Sequence, residues 1–248
     1  MPKNKYFAVS LAASATSAAT AVIALYTIPL QIELALNWIQ LACLFAALLC
    51  AVDFTKKDKS NLFLELQTGA IMCFTAGQIY WVLHLLIIGY DDRTFSISDL
   101  SWIGFYLFLF SAVFGFLNHS VKEDNKKYLK YRIAAMAAPA VFAAFGIAQL
   151  FCVMHNGIRD IFYVTVYSAI MVPLSYYAMK LLILPAGNNQ IVKAMRLYNA
   201  LVLIFMGVDT VWTFSDLLDL QILFLICEFL LSILLLLIPP AAYRGCRK

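Results

Sequence analysis

Positive charge along this chain alternates. Apolar stretches of roughly 20 residues, the length that crosses a bilayer core, are separated by short polar connections. Sixteen of the eighteen Lys and Arg residues fall in or beside every second connection. That set holds Lys3 and Lys5; Lys56, Lys57 and Lys59; Lys122, Lys126, Lys127, Lys130 and Arg132; Lys180, Lys193 and Arg196; and Arg244, Arg247 and Lys248. The intervening connections keep only Arg93 and Arg159, each beside an Asp. Lys and Arg, not net charge, orient membrane proteins, with the cationic flanks held in the cytosol. Adding or removing one span would invert every later segment and destroy the alternation.

The expected fold is therefore all-α: a polytopic integral membrane bundle of eight transmembrane helices with both termini cytoplasmic. The spans are expected at Tyr6–Tyr26, Leu34–Val52, Leu62–Ile88, Leu100–Leu117, Ile133–Val153, Ile161–Leu184, Leu197–Phe214 and Gln221–Ile238. Lys3, Lys5 and the run holding Ala13-Ser14-Ala15 imitate a signal peptide, but the apolar run continues to Tyr26, which favours an uncleaved first span. Composition agrees, at 63% hydrophobic and 13% charged residues, where soluble domains run near half and a quarter. A net charge of +4 needs no nucleic-acid partner, because its cations flank apolar spans where anionic inner-leaflet lipids attract them. The bacterial plasma membrane is the expected location.

One transmembrane domain covers 1–248, with a first half at 1–118, a basic loop at 119–132 and a second half at 133–248. No connection is long enough for a soluble catalytic or DNA-binding domain. Signalling would run through a separate cytoplasmic protein, met by Lys122, Lys126, Lys127, Lys130 and Arg132. The six cysteines never form Cys-x-x-Cys and mostly lie in apolar spans, so they read as small buried residues. No two of the three histidines share a ligand spacing, and no Lys sits in a span's core to hold retinal. No metal and no cofactor is expected.

The halves resemble each other in parallel orientation, a fourfold-plus-fourfold repeat of the kind found in several transporter folds. Span three holds Gly77-Gln78-Ile79-Tyr80-Trp81 and span seven holds Gly207-Val208-Asp209-Thr210-Val211-Trp212, each with a polar residue three before a Trp. Each is followed by a turn and an Asp-Leu step, Asp99-Leu100 and Asp219-Leu220. Spans one and five are both rich in Ala, and small residues let membrane helices pack closely. Both are expected at the bundle centre.

Asp209 and Glu228 are the two acidic residues well inside apolar spans, at nearly equal depth on either side of one turn. A carboxylate at a membrane helix centre costs about 2.5–3.5 kcal/mol even on a lenient scale, so it seeks a cavity or a partner. Two carboxyls in one dry site would share a proton, the chemistry of a general acid, a proton relay or a cation site. Equally, each could lock packing through a hydrogen bond. Asp209, Trp212, Thr213 and Asp216 share one helical face, as do Gln78, Trp81 and His84. The tryptophans either line an apolar pocket or anchor the bundle at the lipid interface, and His84 either titrates or hydrogen-bonds there. The candidate ligand-binding residues are thus Gln78, Trp81, His84, Asp209, Trp212 and Glu228; no catalytic set is assigned.

Two families are resembled at these residues. Gly77-Gln78-Ile79-Tyr80-Trp81, Ser98-Asp99-Leu100 and Trp102-Ile103-Gly104-Phe105-Tyr106 look like the multi-span sensory regions of bacterial signalling proteins. That resemblance implies a sensory role. Leu203-Ile204-Phe205-Met206-Gly207-Val208-Asp209 is similar to the Phe-x-x-Ser-Asp segment of the eight-span lysoplasmalogenases, which hydrolyse the vinyl ether of lysoplasmalogens. Phe205 and Asp209 match; Val208 replaces the Ser, Gln78 stands where the family has Asp, and Ala112 falls where it has His. Only Asp209 carries over, so the resemblance implies a shared fold more than a shared hydrolysis.

The expected function is a membrane binding or sensory protein with an intramembrane pocket for a lipid-like or small apolar ligand, in contact with membrane lipids. The alternatives are a lysoplasmalogenase-like lipid hydrolase and a proton- or cation-coupled transporter, for which Pro173 and Pro185 would interrupt a helix. Reporter fusions after Lys127 and at the carboxyl end are expected on the same face of the membrane; opposite faces would end the eight-span reading.

Overall fold

A chain in lipid must satisfy its backbone hydrogen bonds internally, which leaves helices as the solution for apolar runs of this length. The computed structural model describes residues 32–87, 96–120, 128–155, 157–185 and 190–246. Their helices are α1 (Ile32–Lys57), α2 (Leu62–Ile87), α3 (Ile97–Ser120), α4 (Leu129–Ala135), α5 (Ala137–Val153), α6 (Ile158–Ile183), α7 (Gln190–Leu217) and α8 (Gln221–Cys246). Among the described residues there is no strand. Seven helical units are long and apolar enough to cross a membrane, α4 and α5 counting as one. They correspond to spans two to eight. The expected first span, Tyr6–Tyr26, lies outside the described residues.

Most helices outrun the expected spans. Hydropathy finds only the part that prefers lipid, whereas the helix continues until a cap or a breaker stops it. Thus α1 ends at Lys57 rather than Val52, α3 reaches Ser120, and α7 begins at Gln190. Helix also enters the expected basic loop from both sides, so Lys130 and Arg132 belong to α4.

Prolines behave differently from expectation. Pro173 lies inside an unbroken α6, and Pro239 and Pro240 lie inside α8. Each proline removes one backbone donor, a loss that neighbouring helices and local adjustment make tolerable in membrane bundles. The break that does occur is at Met136, between α4 and α5. Pro139 explains it, because its missing N–H is the one that would reach the carbonyl of Ala135.

Six helices close into a ring in the order α1, α2, α3, α6, α7, α8 and back to α1, with α2–α3 and α7–α8 the most extensive pairs. Helix α5 stands outside, packed mainly on α6. Among the described residues, span five therefore lies outside the ring rather than at its centre. Its Ala134, Ala137, Ala140 and Ala144 are exposed, and among the described helices it approaches α6 most extensively, where Gly146 abuts Ser168. Small residues permit close packing but do not say which side receives a partner.

The two turns that the sequence pairs are built differently. At the start of α3, Asp99 accepts hydrogen bonds from the Ser96 backbone N–H at 2.6 Å and from Ser96 Oγ at 3.0 Å. That is the carboxylate half of a capping box, and it positions α3. At the end of α7, Asp219 adopts a left-handed φ of 54° while the Leu220 N–H reaches back to Ser215 O at 2.7 Å. That is a Schellman closure, with Asp219 in the position glycine usually fills.

At the opposite end of the bundle the helices are fastened by polar contacts. Arg196 Nη2 donates to the carbonyl of Leu184 at 2.9 Å, joining the start of α7 to the end of α6. The hydroxyls of Thr55 and Thr68 lie 2.8 Å apart across α1 and α2. Tyr198 OH donates to Gln67 Oε1 at 2.6 Å across the ring, from α7 to α2. Lys57, Arg196 and Arg244 lie at this end, called here the basic end.

Gly77 sits where α2 meets α3. A Cβ there would come within 3.0 Å of Ser101 Cβ and Trp102 Nε1, whereas one on Gly207 would meet nothing within 4 Å. Gly77→Ala is expected to destabilise the bundle by about 1–3 kcal/mol through overpacking. Gly207→Ala is expected to be neutral or stabilising by up to about 1 kcal/mol through helix propensity. Unfolding both variants in mixed micelles checks the contrast; equal costs would refute the packing difference.

Candidate functional site

Each ring helix carries a polar or aromatic side chain inward at one level of the bundle. That level is near the end where α2 hands over to α3 and α7 to α8. Asp209 lies eight residues before the end of α7 and Glu228 seven after the start of α8. At 1.5 Å per residue both sit roughly 10–12 Å below that turn. The helices are adjacent and antiparallel, so the two carboxyls meet at one depth.

They line one partly open cavity of about 30 Å³. A water needs roughly 10–15 Å³ by this measure, so there is room for about two. Helix α2 contributes Phe74, Gln78 and Trp81; α7 contributes Asp209, Trp212 and Thr213; α8 contributes Glu228 and Leu231. Helix α1 adds Asn37 and Gln40, α3 adds Trp102 and Tyr106, and α6 adds Tyr163 and Tyr167. Five of the six residues singled out from the sequence thus share one cavity.

The sixth, His84, does not line it. One turn beyond Trp81, its ring stacks on that indole at 5.5 Å with planes 10° apart, and on Tyr80 at 6.2 Å. It is half-buried. Asp216, on the face shared with Asp209, likewise stays outside the lining.

Burial makes the polar contacts expensive to lose. Asp209 is 9% exposed and Glu228 5%. Tyr106 OH donates to Asp209 Oδ2 at 2.8 Å, and Gln78 Nε2 donates to Asn37 Oδ1 at 2.6 Å. The first bond ties α3 to α7 and the second ties α2 to α1, so two of the cavity's walls are fixed by its own polar groups. A hydrogen bond between neutral groups nets about 0.5–1.5 kcal/mol, and leaving a buried partner unsatisfied costs about 1–3 kcal/mol.

Aromatic rings form the rest. Trp102 meets Trp212 edge-on at 6.4 Å, and Trp212 packs on Phe224 at 5.2 Å. Tyr106 meets Tyr167 edge-on at 5.1 Å, and Tyr167 stacks on Tyr163 at 5.6 Å. Toward the basic end the ring is plugged. Phe205 and Phe74, each one turn from Asp209 and Gln78, touch Phe105 and each other at 5.0–6.0 Å. Phe105 and Phe205 are fully buried.

Sequence reasoning missed Asn37, Gln40, Tyr106, Tyr163 and Tyr167. Asn37 and Gln40 carried a signal, being polar residues one turn apart inside an apolar span, which is uncommon without a function. Tyr106 carried none of its own, since a tyrosine is ordinary in a membrane helix until a partner 103 residues away identifies it. Ala112, where the lysoplasmalogenase pattern has His, is buried in the apolar core and does not line the cavity. Among the described residues no group of three or more His, Cys, Asp or Glu is placed to hold a metal.

Chemically the site offers two carboxyls, three phenols, three side-chain amides and three indole rings around a small void. No protein-family model, curated protein or solved structure matches this chain.

Removing the phenol tests the geometry. Tyr106→Phe is expected to lower stability by about 1–3 kcal/mol, because a buried carboxyl acceptor loses its donor. Tyr80→Phe, on a half-buried ring that does not line the cavity, is expected to cost less than about 0.5 kcal/mol. Denaturation of both in micelles decides; a silent Tyr106→Phe would show that the bond adds nothing.

Proposed function

We propose that this chain is a membrane binding or sensory protein whose helix ring encloses a ligand site reached from the face opposite its basic end. The observation that carries this reading is the convergence of all six ring helices on one cavity lined by Gln78, Trp81, Asp209, Trp212 and Glu228. Buried carboxyls and amides weaken a membrane protein unless they are used, which is why such groups mark function.

The cavity's size bears on the ligand. Drug-sized ligands occupy roughly 300–1,000 Å³, about ten times the volume present or more. A lipid-like or apolar ligand would have to open the ring, so a compact polar one suits the present geometry better. Turnover has less support. The acid of the lysoplasmalogenase pattern is replaced by Gln78, whose amide is engaged with Asn37, and Ala112 offers no base. Transport has the right carboxyls, yet a route through the ring must displace the plug of Phe74, Phe105 and Phe205.

The finer topology belongs to the same proposal. Eight spans, both termini in the cytosol and a bacterial plasma-membrane location follow from the Lys and Arg alternation. The ring supports a parallel repeat, since α2–α3 mirrors α7–α8 and α3–α6 mirrors α8–α1. The basic connection around Lys122, Lys126, Lys127, Lys130 and Arg132 is where a cytoplasmic partner would read the state of the bundle, and the resemblance to sensory regions favours that use.

Labelling tests the cavity without knowing the ligand. Thr213→Cys is expected to react with a small charged thiol reagent above the wild-type background, and Phe205→Cys is not. Equal reactivity at the two positions would sink the enclosed-site reading. Hydrolysis of a lysoplasmalogen by purified protein, abolished in Asp209→Asn, would replace binding with catalysis.

A further inference from the structure

We infer that the cavity takes a small organic cation, an alkylammonium group, held between its carboxyls and its tryptophan faces. The inference rests on the binding-site reading above and names the ligand class for it. Three features of the lining select this chemistry over others.

The first is charge. Asp209 and Glu228 both face the void, and its described lining contains no Lys, Arg or His. An anion would meet two acids at close range in a described lining that offers it no Lys, Arg or His. A cation meets the opposite field, strengthened because the site lies in lipid-excluded, water-poor surroundings where screening is weak.

The second is the aromatic wall. Trp81, Trp102 and Trp212, with Tyr106, Tyr163 and Tyr167, give the cavity indole and phenol rings from four helices. Ring faces attract cations, Trp most strongly, and cages of this composition are suited to alkylated ammonium groups. A hard metal ion wants six or more oxygen ligands closed around it at short distance, and among the described residues no group of three or more His, Cys, Asp or Glu is placed to hold one. An alkylammonium is weakly hydrated, so it gives up less water on entering.

The third is size. About 30 Å³ holds roughly two waters, which suits the ammonium end of a small amine. A fully methylated ammonium needs the indoles to move apart. The preference expected is therefore methylammonium and ethanolamine over choline.

The chain contains four tryptophans, three of them in the cavity and the fourth, Trp38, 48% exposed on the outer face of α1. Intrinsic fluorescence thus reports the site directly, and Trp38→Phe removes the remaining background. The experiment titrates the full chain in nanodiscs of phosphatidylglycerol, which carries no amine headgroup. Ethanolamine is compared with its neutral counterpart 1-propanol, and choline with 3,3-dimethyl-1-butanol. Saturable changes with the cations and none with the alcohols are expected. Asp209→Asn and Glu228→Gln should each weaken binding by about tenfold or more, and Trp212→Ala should weaken it while Trp212→Phe largely restores it.

Adding phosphatidylethanolamine to the discs separates the two sources of such a group. Competition by the lipid would identify a headgroup as the occupant, and unchanged affinity would identify a free amine. Equal responses to cation and alcohol would overturn the cation and leave the cavity reading standing. Silence from all four compounds, with Thr213→Cys unlabelled, would overturn both. If Asp209→Asn does not fold, the isostere comparison on the unaltered chain still decides.

Discussion

Everything in this bundle answers to the price of placing Asp209 and Glu228 in a medium without water. A carboxyl at that depth is kept only where the helices around it supply donors, a void or a counter-charge. The ring does so from several sides: Tyr106 brings a hydroxyl from α3, while α1 and α2 bring the Asn37–Gln78 pair to the same level. Once the carboxyls are set there, the surrounding helices have little freedom in rotation, because turning any of them would withdraw a group that another needs.

The same constraint explains why aromatic residues crowd this part of the chain. Rings fill space tightly at the floor of the cavity, where Phe74, Phe105 and Phe205 interlock. Above it, indoles and phenols pack by their apolar bodies and keep a polar edge available. A gradient from dry floor to polar void is built within about two helical turns.

How much of this was legible in the sequence depends on the kind of signal. Helices show as runs of apolar residues, so seven of the expected spans correspond to helical units. Their ends do not, since capping is local chemistry: Ser96 with Asp99 begins α3, and Asp219 closes α7. Asp209 and Glu228 stand out because charge is rare in such surroundings. Tyr163 and Tyr167 do not stand out, because nothing in a span of apolar and aromatic residues distinguishes a ring facing a void from one facing lipid. The alanines of α5 misled for a related reason: composition records what a side chain permits, and only packing records what it touches. The paired Asp-Leu steps are a warning of another kind, as Asp99 caps a helix and Asp219 bends a turn.

The plug of rings beneath the cavity sets what can pass between the two ends of the molecule. Phe74 and Phe205 sit one turn from Gln78 and Asp209, and Phe205 touches Tyr106 as well. Further along, Tyr198 bridges α7 to α2 through Gln67. If the proposed site is occupied, these packed rings offer a mechanical link to the basic end, a tilt or twist of whole helices about the stack, in the way a key turns a lock cylinder without anything flowing through it.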